Sequence, residues 1–225
     1  MNNFKQTEMK KISILILTCL LTFSLSAQST DVIKLNAPSK SRKADIMMAF
    51  KNRQSTNVYE SRNLTLQDLS DLLWSANGIN RPENGKKTAP SAINSQDIDI
   101  YVCRADGAYL YDALSNEIRL VAKKDLRPLM NGSRPNDAPI LLLLVADLSR
   151  YKAYDSQNPS NNKRLYDMSA LDAGIVSQNI SIYCSGAGLG TRPRVGMDGE
   201  ALRKELKLSP AQITWLNHPV GYPKK

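Results

Sequence analysis

The chain has 225 residues, 42% hydrophobic, 23% charged and 6% aromatic, with a formal charge of +9. Such a chain suits one globular domain with a sizeable core, and no repeat recurs at solenoid periods. The lysines and arginines are scattered, at most in pairs and without interleaved aromatics. The basic balance therefore describes a soluble surface that favours small anionic molecules and does not point to nucleic acid.

Lys10-Lys11 precede an apolar run over residues 12–25, followed by Ser26 and Ala27. A positive region, a short apolar core and a small-residue cleavage point make residues 1–27 a signal peptide. The run is short for a membrane span, which needs about 20 residues. Cys19 is a poor lipid-anchor site because Thr18 precedes it and the apolar run continues past it; an uncleaved anchor is the remaining alternative. The expected location is periplasmic or secreted, with no stable membrane insertion after cleavage. No Arg-Arg pair is present, so export moves an unfolded chain and any cofactor is acquired afterwards. Cys103 and Cys184 are then the cysteines of the mature chain. An oxidising compartment permits a bridge between them, and two buried thiols are the other reading.

Residues 28–41 are polar, contain Pro38 and lack periodicity, which reads as a linker or arm ahead of a domain over 42–225. Ile46, Met47 and Phe50 recur at helical spacing. The helix they define runs into Arg53-Gln54-Ser55-Thr56-Asn57, where a guanidinium fork and hydroxyls suit a phosphate. Thr65-Leu66-Gln67-Asp68 is a capping box opening a helix whose apolar face is Leu66, Leu69, Leu72, Leu73 and Trp74, with Asn77-Gly78 ending it.

Pro90-Ser91-Ala92-Ile93-Asn94-Ser95-Gln96 is a turn of small residues and amides, a backbone-lined edge for a flat polar ligand. It feeds an alternating strand over 97–103. Asp106-Gly107 turns that strand into a second over 108–111, and a third follows over 117–121. Residues 139–146 form a continuous apolar run with the length of a fully buried central strand. Residues 151–163 are Ser/Asn-rich and read as a mobile, lid-forming loop. From Tyr166 to Cys184 apolar residues surround most of a helix, which predicts its burial.

Gly186-Ala187-Gly188-Leu189-Gly190 ends that helix. It is not a dinucleotide fingerprint, which needs a strand before it and a helix after it. Asp198 caps a short helix, and residues 213–216 form a last strand. His218 reads as a surface histidine. No Cys/His or Ser/His/Asp arrangement and no metal-ligand spacing is visible, so no side chain is assigned as a catalytic acid, base or nucleophile.

Taken together, five of these pieces resemble the flavin-dependent nitroreductases. The segment 53–59 is similar to that family's opening arginine-x-serine motif. Leu64-Thr65-Leu66-Gln67-Asp68-Leu69 through Leu72-Leu73-Trp74-Ser75-Ala76-Asn77-Gly78-Ile79 resembles the second helix of its peptide-azoline dehydrogenase branch. Ala89-Pro90-Ser91-Ala92 with Asn94-Ser95-Gln96 resembles its flavin-binding turn. Leu171-Asp172-Ala173-Gly174 with Gln178-Asn179, then Gly188-Leu189-Gly190-Thr191, resembles its central helix and glycine-rich exit. Pro219-Val220-Gly221-Tyr222-Pro223 resembles its closing motif.

The resemblance implies an α+β fold in which helices surround a mixed, mostly antiparallel sheet, assembled as a homodimer with FMN at the interface. On that basis Arg53, Gln54 and Ser55 belong to the phosphate and ribityl end, and Asn57 stands where the family carries a cation. Asn94 meets the flavin ring, with Pro90, Ser91, Ala92 and Gln96 in the same turn. Val195-Gly196 offers a backbone N–H to it. The implied activity is ping-pong hydride transfer between a small donor and a small acceptor such as a nitro or quinone compound, or oxidation of an azoline. Asn57 and the end of the chain at Lys225 remove cations found in the family, which leaves a second reading open: a binding or structural module that has lost FMN.

Overall fold

A computed structural model describes residues 31–132 and 136–224; the expected signal peptide lies outside them. In chain order the elements are β1 (Val32–Lys34), α1 (Ile46–Asn52), α2 (Leu66–Asn77), β2 (Ile79–Arg81), β3 (Lys86–Lys87), β4 (Ile98–Arg104), β5 (Gly107–Asp112) and β6 (Glu117–Ala122). They continue with β7 (Ile140–Asp147), α3 (Lys163–Gly186), β8 (Gly190–Thr191), α4 (Gly199–Glu205) and β9 (Gln212–Gly221). Seven strands form one sheet in the order β1-β6-β5-β4-β7-β9-β8, and β2 and β3 form a small separate hairpin.

The apolar run expected as a central strand is β7, held between β4 and β9. Ile98 pairs with Ala146 and Cys103 with Leu141 on one side, while Val220 pairs with Ile140 and Gln212 with Asp147 on the other. All six strand pairings of the sheet are antiparallel. One parallel bridge, between Ser55 and Thr191, is added at the β8 edge. The architecture is thus the expected α+β one, with a mostly antiparallel sheet.

Because strand side chains alternate between faces, β7 serves two cores. Leu142, Leu144 and Ala146 pack with Leu72, Val176 and Ile180 beneath α2 and α3. Leu141, Leu143 and Val145 pack with Leu126, Met130 and Leu202 on the other side. Cys184 belongs to the first core and Cys103 to the second. The sheet separates the two free thiols, and burial pushes both up, Cys103 to about 12. Of the two readings of these cysteines, the structure shows buried thiols.

α2 starts where the capping box places it. The Thr65 hydroxyl accepts the Asp68 N–H at 3.1 Å and donates to the Asp68 carboxylate at 2.8 Å. Leu69, Leu72, Leu73 and Ala76 turn inward, each leucine contributing about 2 kcal/mol of apolar burial. The helix stops at Gly78, where an added Cβ would lie 2.5 Å from the Trp74 side chain.

Residues 32–41 run as an arm along this domain. β1 pairs with β6, the Ser39 N–H donates to Asp71 at 2.7 Å, and Arg42 bridges Asp68 and Asp71.

Three expectations are corrected. α3 is not buried all round: Leu171 is 70% exposed and Ile175 is also exposed, whereas Ser169, Asp172, Ser177 and Ser181 are buried. An apolar ring around a helix does not specify which arc its neighbours cover, and the buried serines answer their polarity inside the fold, Ser169 and Ser181 on the carbonyls of Tyr166 and Ser177 and Ser177 on His218. Residues 151–163 are cross-tied and do not form a loose lid. The Asp155 carboxylate accepts the N–H groups of Gln157 and Asn158 and the Asn161 amide, and the buried Asn162 amide bonds both the N–H and the carbonyl of Asp155. The last strand does not stop at residue 216; β9 runs on to Gly221 and carries His218 into the interior, where it is fully buried.

Candidate functional site

Arg53 ends α1. Its N–H closes the helix on Ala49 at 3.0 Å and its backbone then extends (φ −57°, ψ 117°). The chain lies against β8 through the Ser55–Thr191 bridge, with the Thr56 N–H donating to the Thr191 carbonyl at 3.1 Å. This approach requires Gly190: an added Cβ would sit 2.5 Å from the Thr56 side chain. Tyr59 fastens the other end, its hydroxyl donating to the Thr56 carbonyl at 2.8 Å. Arg53, Gln54, Ser55 and Asn57 are all exposed, and among the described residues the Arg53 guanidinium is paired with no carboxylate.

His218 supports Thr191 from below. Its Nε2 is 2.8 Å from the Ser177 hydroxyl and its Nδ1 is 3.1 Å from the Thr191 hydroxyl. Burial holds its pKa down at about 3, so the ring is neutral. The surface histidine expected from the sequence is therefore a buried strut of this site.

Beyond Thr191 the chain returns along β9. Arg194 and Asn217 exchange both backbone hydrogen bonds, at 2.9 and 2.8 Å, and the Asn217 amide donates to the Gly196 carbonyl at 3.3 Å. An open cleft of about 350 Å³ lies here, lined by Asn131, Gly132 and residues 192–196. Val195 is 75% exposed and Gly196 is exposed at its rim. Arg192 Nε is buried with no partner among the described residues. Sequence reasoning passed over Arg192; its position directly after the Gly-Leu-Gly-Thr exit was the available signal.

The second group of expected residues is the turn 90–96. Ser91 accepts the Gln96 N–H on its hydroxyl at 2.8 Å, and the Ala92 N–H is gripped by both Asp172 oxygens at 3.0 and 2.9 Å. The Gln96 amide is taken up by the Gly85 carbonyl at 3.0 Å. Ile93, Asn94 and Gln96 all have positive φ, at 48°, 56° and 49°. For a β-branched residue such as Ile93, itself 71% exposed, that is a strained conformation, of the kind that clusters where a backbone is held for a purpose. Pro90 and Asn94 are exposed, and Ser91 and Ala92 half-buried.

The structure sets the 53–57 segment against β8 at Thr191, with Val195 and Gly196 four and five residues further along the chain, but it does not bring the turn to them. The turn enters β4 opposite Ala146, whereas Thr191 pairs with Val220 opposite Ile140. Six residues of β7 therefore separate the two groups, roughly 20 Å at the rise of a strand.

An exposed cationic and hydroxyl-bearing segment and a strained amide-rich turn are the two candidate binding elements. The nitroreductase family model matches residues 50–222, and the chain belongs to that family of oxidoreductases. A nitroreductase-type protein of Methanocaldococcus jannaschii is 28% identical over 187 residues, covering 75% of this chain and 86% of the relative. The crystal structure of a nitroreductase-type protein from Ralstonia eutropha superposes with a TM-score of 0.79 at 30% identity, over 88% of this chain and 92% of that one. The E. coli microcin synthetase McbBCD complex with truncated pro-MccB17 bound superposes with a TM-score of 0.66 at 18% identity, over 93% and 82%, a likeness of fold alone.

Proposed function

We propose that the chain is an exported, FMN-dependent oxidoreductase that works as a homodimer and carries hydride between a small donor and a small acceptor such as a nitro or quinone compound. The observation that carries this reading is the pair of half-sites at opposite ends of β7. Neither is a complete pocket, and each has the chemistry of a different part of one ligand. A two-fold arrangement of copies sets one end of a chain against the other end of its partner. Uncovered apolar side chains suit such a contact: Ile46, Met47 and Phe50 on α1 and Leu171 on α3 are more than half exposed. A groove of about 390 Å³ lined by Ile46, Ala49, Trp74, Ile182 and Tyr183 lies beside them.

The residues fit the cofactor. Arg53 and Ser55, both exposed, would take the phosphate as a guanidinium fork with an added hydroxyl donor. Arg192, whose buried Nε lacks a partner, would supply positive charge that Asn57 does not. Asn94 would present its amide to the ring with Pro90, Ser91 and Ala92 packed against it, and the Val195–Gly196 backbone would present an N–H. Donors held in place stabilise charge that grows as the ring is reduced. Bound FMN would supply the hydride chemistry, in alternating half-reactions with donor and acceptor. The chain's task is to bind, orient and shield.

The test is colour and turnover. Purified protein should be yellow, or become so with FMN, and should be bleached by a reductant and recoloured by a nitroaromatic or quinone. A colourless protein that refuses FMN overturns the reading in favour of a module without flavin. A second reading of the acceptor side, oxidation of an azoline ring, is favoured by the likeness of residues 64–79 to the azoline dehydrogenase helix. Recolouring without azoline turnover would leave the nitro or quinone acceptor.

A further inference from the structure

The turn 90–96 is held at both ends from one place. Its own hydrogen bonds, from the Asn94 N–H to the Ser91 carbonyl at 3.1 Å and from the Ser95 N–H to the Ala92 carbonyl at 3.0 Å, curl its middle. They do not fix its ends. The positive φ of Ile93, Asn94 and Gln96 is a conformation that persists only where the surroundings over-determine it. Those surroundings are the residues that leave β7 at the same end of the sheet. Leu148–Arg150 form one tight turn, capped by Asp147 and closed by the Tyr151 N–H on the Leu148 carbonyl at 3.0 Å. Leu148, Tyr151 and Leu165 make a small core of their own, and Ala92 packs against it.

Arg150 and Tyr151 each take one end. One amino nitrogen of Arg150 reaches both Asp99 oxygens at 2.7 Å, and the other donates to the Gln96 carbonyl at 2.8 Å. Asp99 lies on β4, the strand that the turn feeds, so the planar guanidinium is oriented by that strand as it meets the turn. Tyr151, 2% exposed, donates its hydroxyl to Asp172 at 3.1 Å. Asp172, 3% exposed on α3, closes both oxygens on the Ala92 N–H at 3.0 and 2.9 Å. A buried carboxyl group is costly unless donors answer it; the donors here are the turn itself and Tyr151. Burial pushes the Tyr151 phenol up, so it stays a donor.

We propose that Arg150 and Tyr151 are positioning residues that clamp the turn 90–96 in its strained form before any ligand arrives, Arg150 directly at Gln96 and Tyr151 through Asp172 at Ala92. The stretch expected from the sequence to be a lid begins at Tyr151, and its first residue is thus an anchor of the turn. What the turn receives rests on the flavin reading above: a ring that meets a turn already in place leaves less to be ordered on binding than one that meets a loose loop. The clamp itself stands without a flavin.

The experiment compares flavin-free wild type with Arg150→Lys, which keeps the charge opposite Asp99 but has one nitrogen for two tasks, and Tyr151→Phe, which keeps the ring and removes the donor. Hydrogen–deuterium exchange of the peptide covering 90–96 should be faster in each variant and fastest in the double variant, with β4 and β7 exchanging as in wild type. Unchanged exchange at the turn overturns the clamp. Exchange raised throughout the chain makes the two residues general supports and overturns it as well. Fluorescence titration should show FMN bound about tenfold more weakly by each variant, the effect of having to order the turn on binding. At saturating FMN the visible circular dichroism of the bound ring should differ from wild type, a signature that loss of stability alone would not move. A looser turn with wild-type affinity and spectrum overturns the positioning role. A looser turn in variants of a chain that binds no flavin, wild type included, upholds the clamp and overturns the flavin reading alone. Should either variant not fold, amide exchange in the wild type decides: an Ala92 N–H as slow as those of β4 supports the clamp, and one exchanging at the rate of an open loop overturns it.

Discussion

His218 joins three elements through two hydroxyls, meeting Ser177 of α3 at 2.8 Å on Nε2 and Thr191 of β8 at 3.1 Å on Nδ1 from its own place in β9. The Thr191 hydroxyl donates to the Pro219 carbonyl at 2.9 Å, so it accepts from Nδ1 while Nε2 accepts from Ser177; both are met by an uncharged ring, and protonation would bury a charge.

Acid should therefore loosen this junction. The folded-state pKa is lowered from 6.5 to about 3, so the unfolded chain binds more protons between those values. The stabilisation is fully present above about 6.5 and is lost as pH falls toward 3, with a limiting slope of about 1.4 kcal/mol per pH unit. Urea unfolding of wild type and His218→Gln between pH 4.5 and 7.5 should show a steeper acid-side loss for the wild type. Equal slopes would show that the ring does not stay neutral. Burial raises the buried Asp97 carboxyl to about 6, a contribution of opposite sign, so the comparison is with the variant, not across pH alone.

Arg53→Ala should reduce FMN affinity about 10- to 100-fold, the loss of a charge-assisted hydrogen bond of about 1.5–3 kcal/mol. The melting temperature of the flavin-free protein should hold steady, because the side chain is exposed and unpaired. Fluorescence titration with FMN measures the first quantity and calorimetry the second. Unchanged affinity would remove Arg53 from the site. Arg192→Ala should weaken binding in the same direction.

Gly190→Ala should push the 53–57 segment off β8, since the new methyl group would meet Thr56 at 2.5 Å. Overpacking of this kind costs about 1–3 kcal/mol. Unlike Arg53→Ala, it should lower both stability and FMN affinity. A variant as stable as the wild type would mean that the strand approach is looser than the structure shows.

Leu171→Asp, at a side chain 70% exposed, should leave the monomer folded and reduce self-association. Light scattering on an eluting column reads the mass directly. Wild-type protein eluting as a monomer at every concentration would remove the two-fold site. If the variant stays dimeric, the contact lies elsewhere.

Much of the fold was legible because its signals are local. The Thr65 capping box and the unbroken apolar run of β7 each report on their own residues and lie where they were read, while the hairpin turn falls one residue earlier, at Ala105-Asp106, with Gly107 already paired to Arg104. His218 was misread because Pro219 suggested that the strand had ended, and only pairing with β7 across Leu142 shows that it continues. The exposed stripe of α3 was equally hidden, since periodicity counts apolar residues without saying which ones neighbours will cover. The segments 53–57 and 90–96 were singled out from helix-end and turn chemistry, and Val195–Gly196 from the family resemblance. Their separation along β7 depends on sheet order, and Arg192 emerges only once its buried Nε is seen without a partner.

The distance between the two half-sites has a consequence for handling the protein. If each ring is held by walls from separate polypeptides, occupancy depends on how often chains meet as well as on how much flavin is supplied. Simple dilution, with no heat, acid or denaturant, would then fade the yellow while every molecule stayed folded.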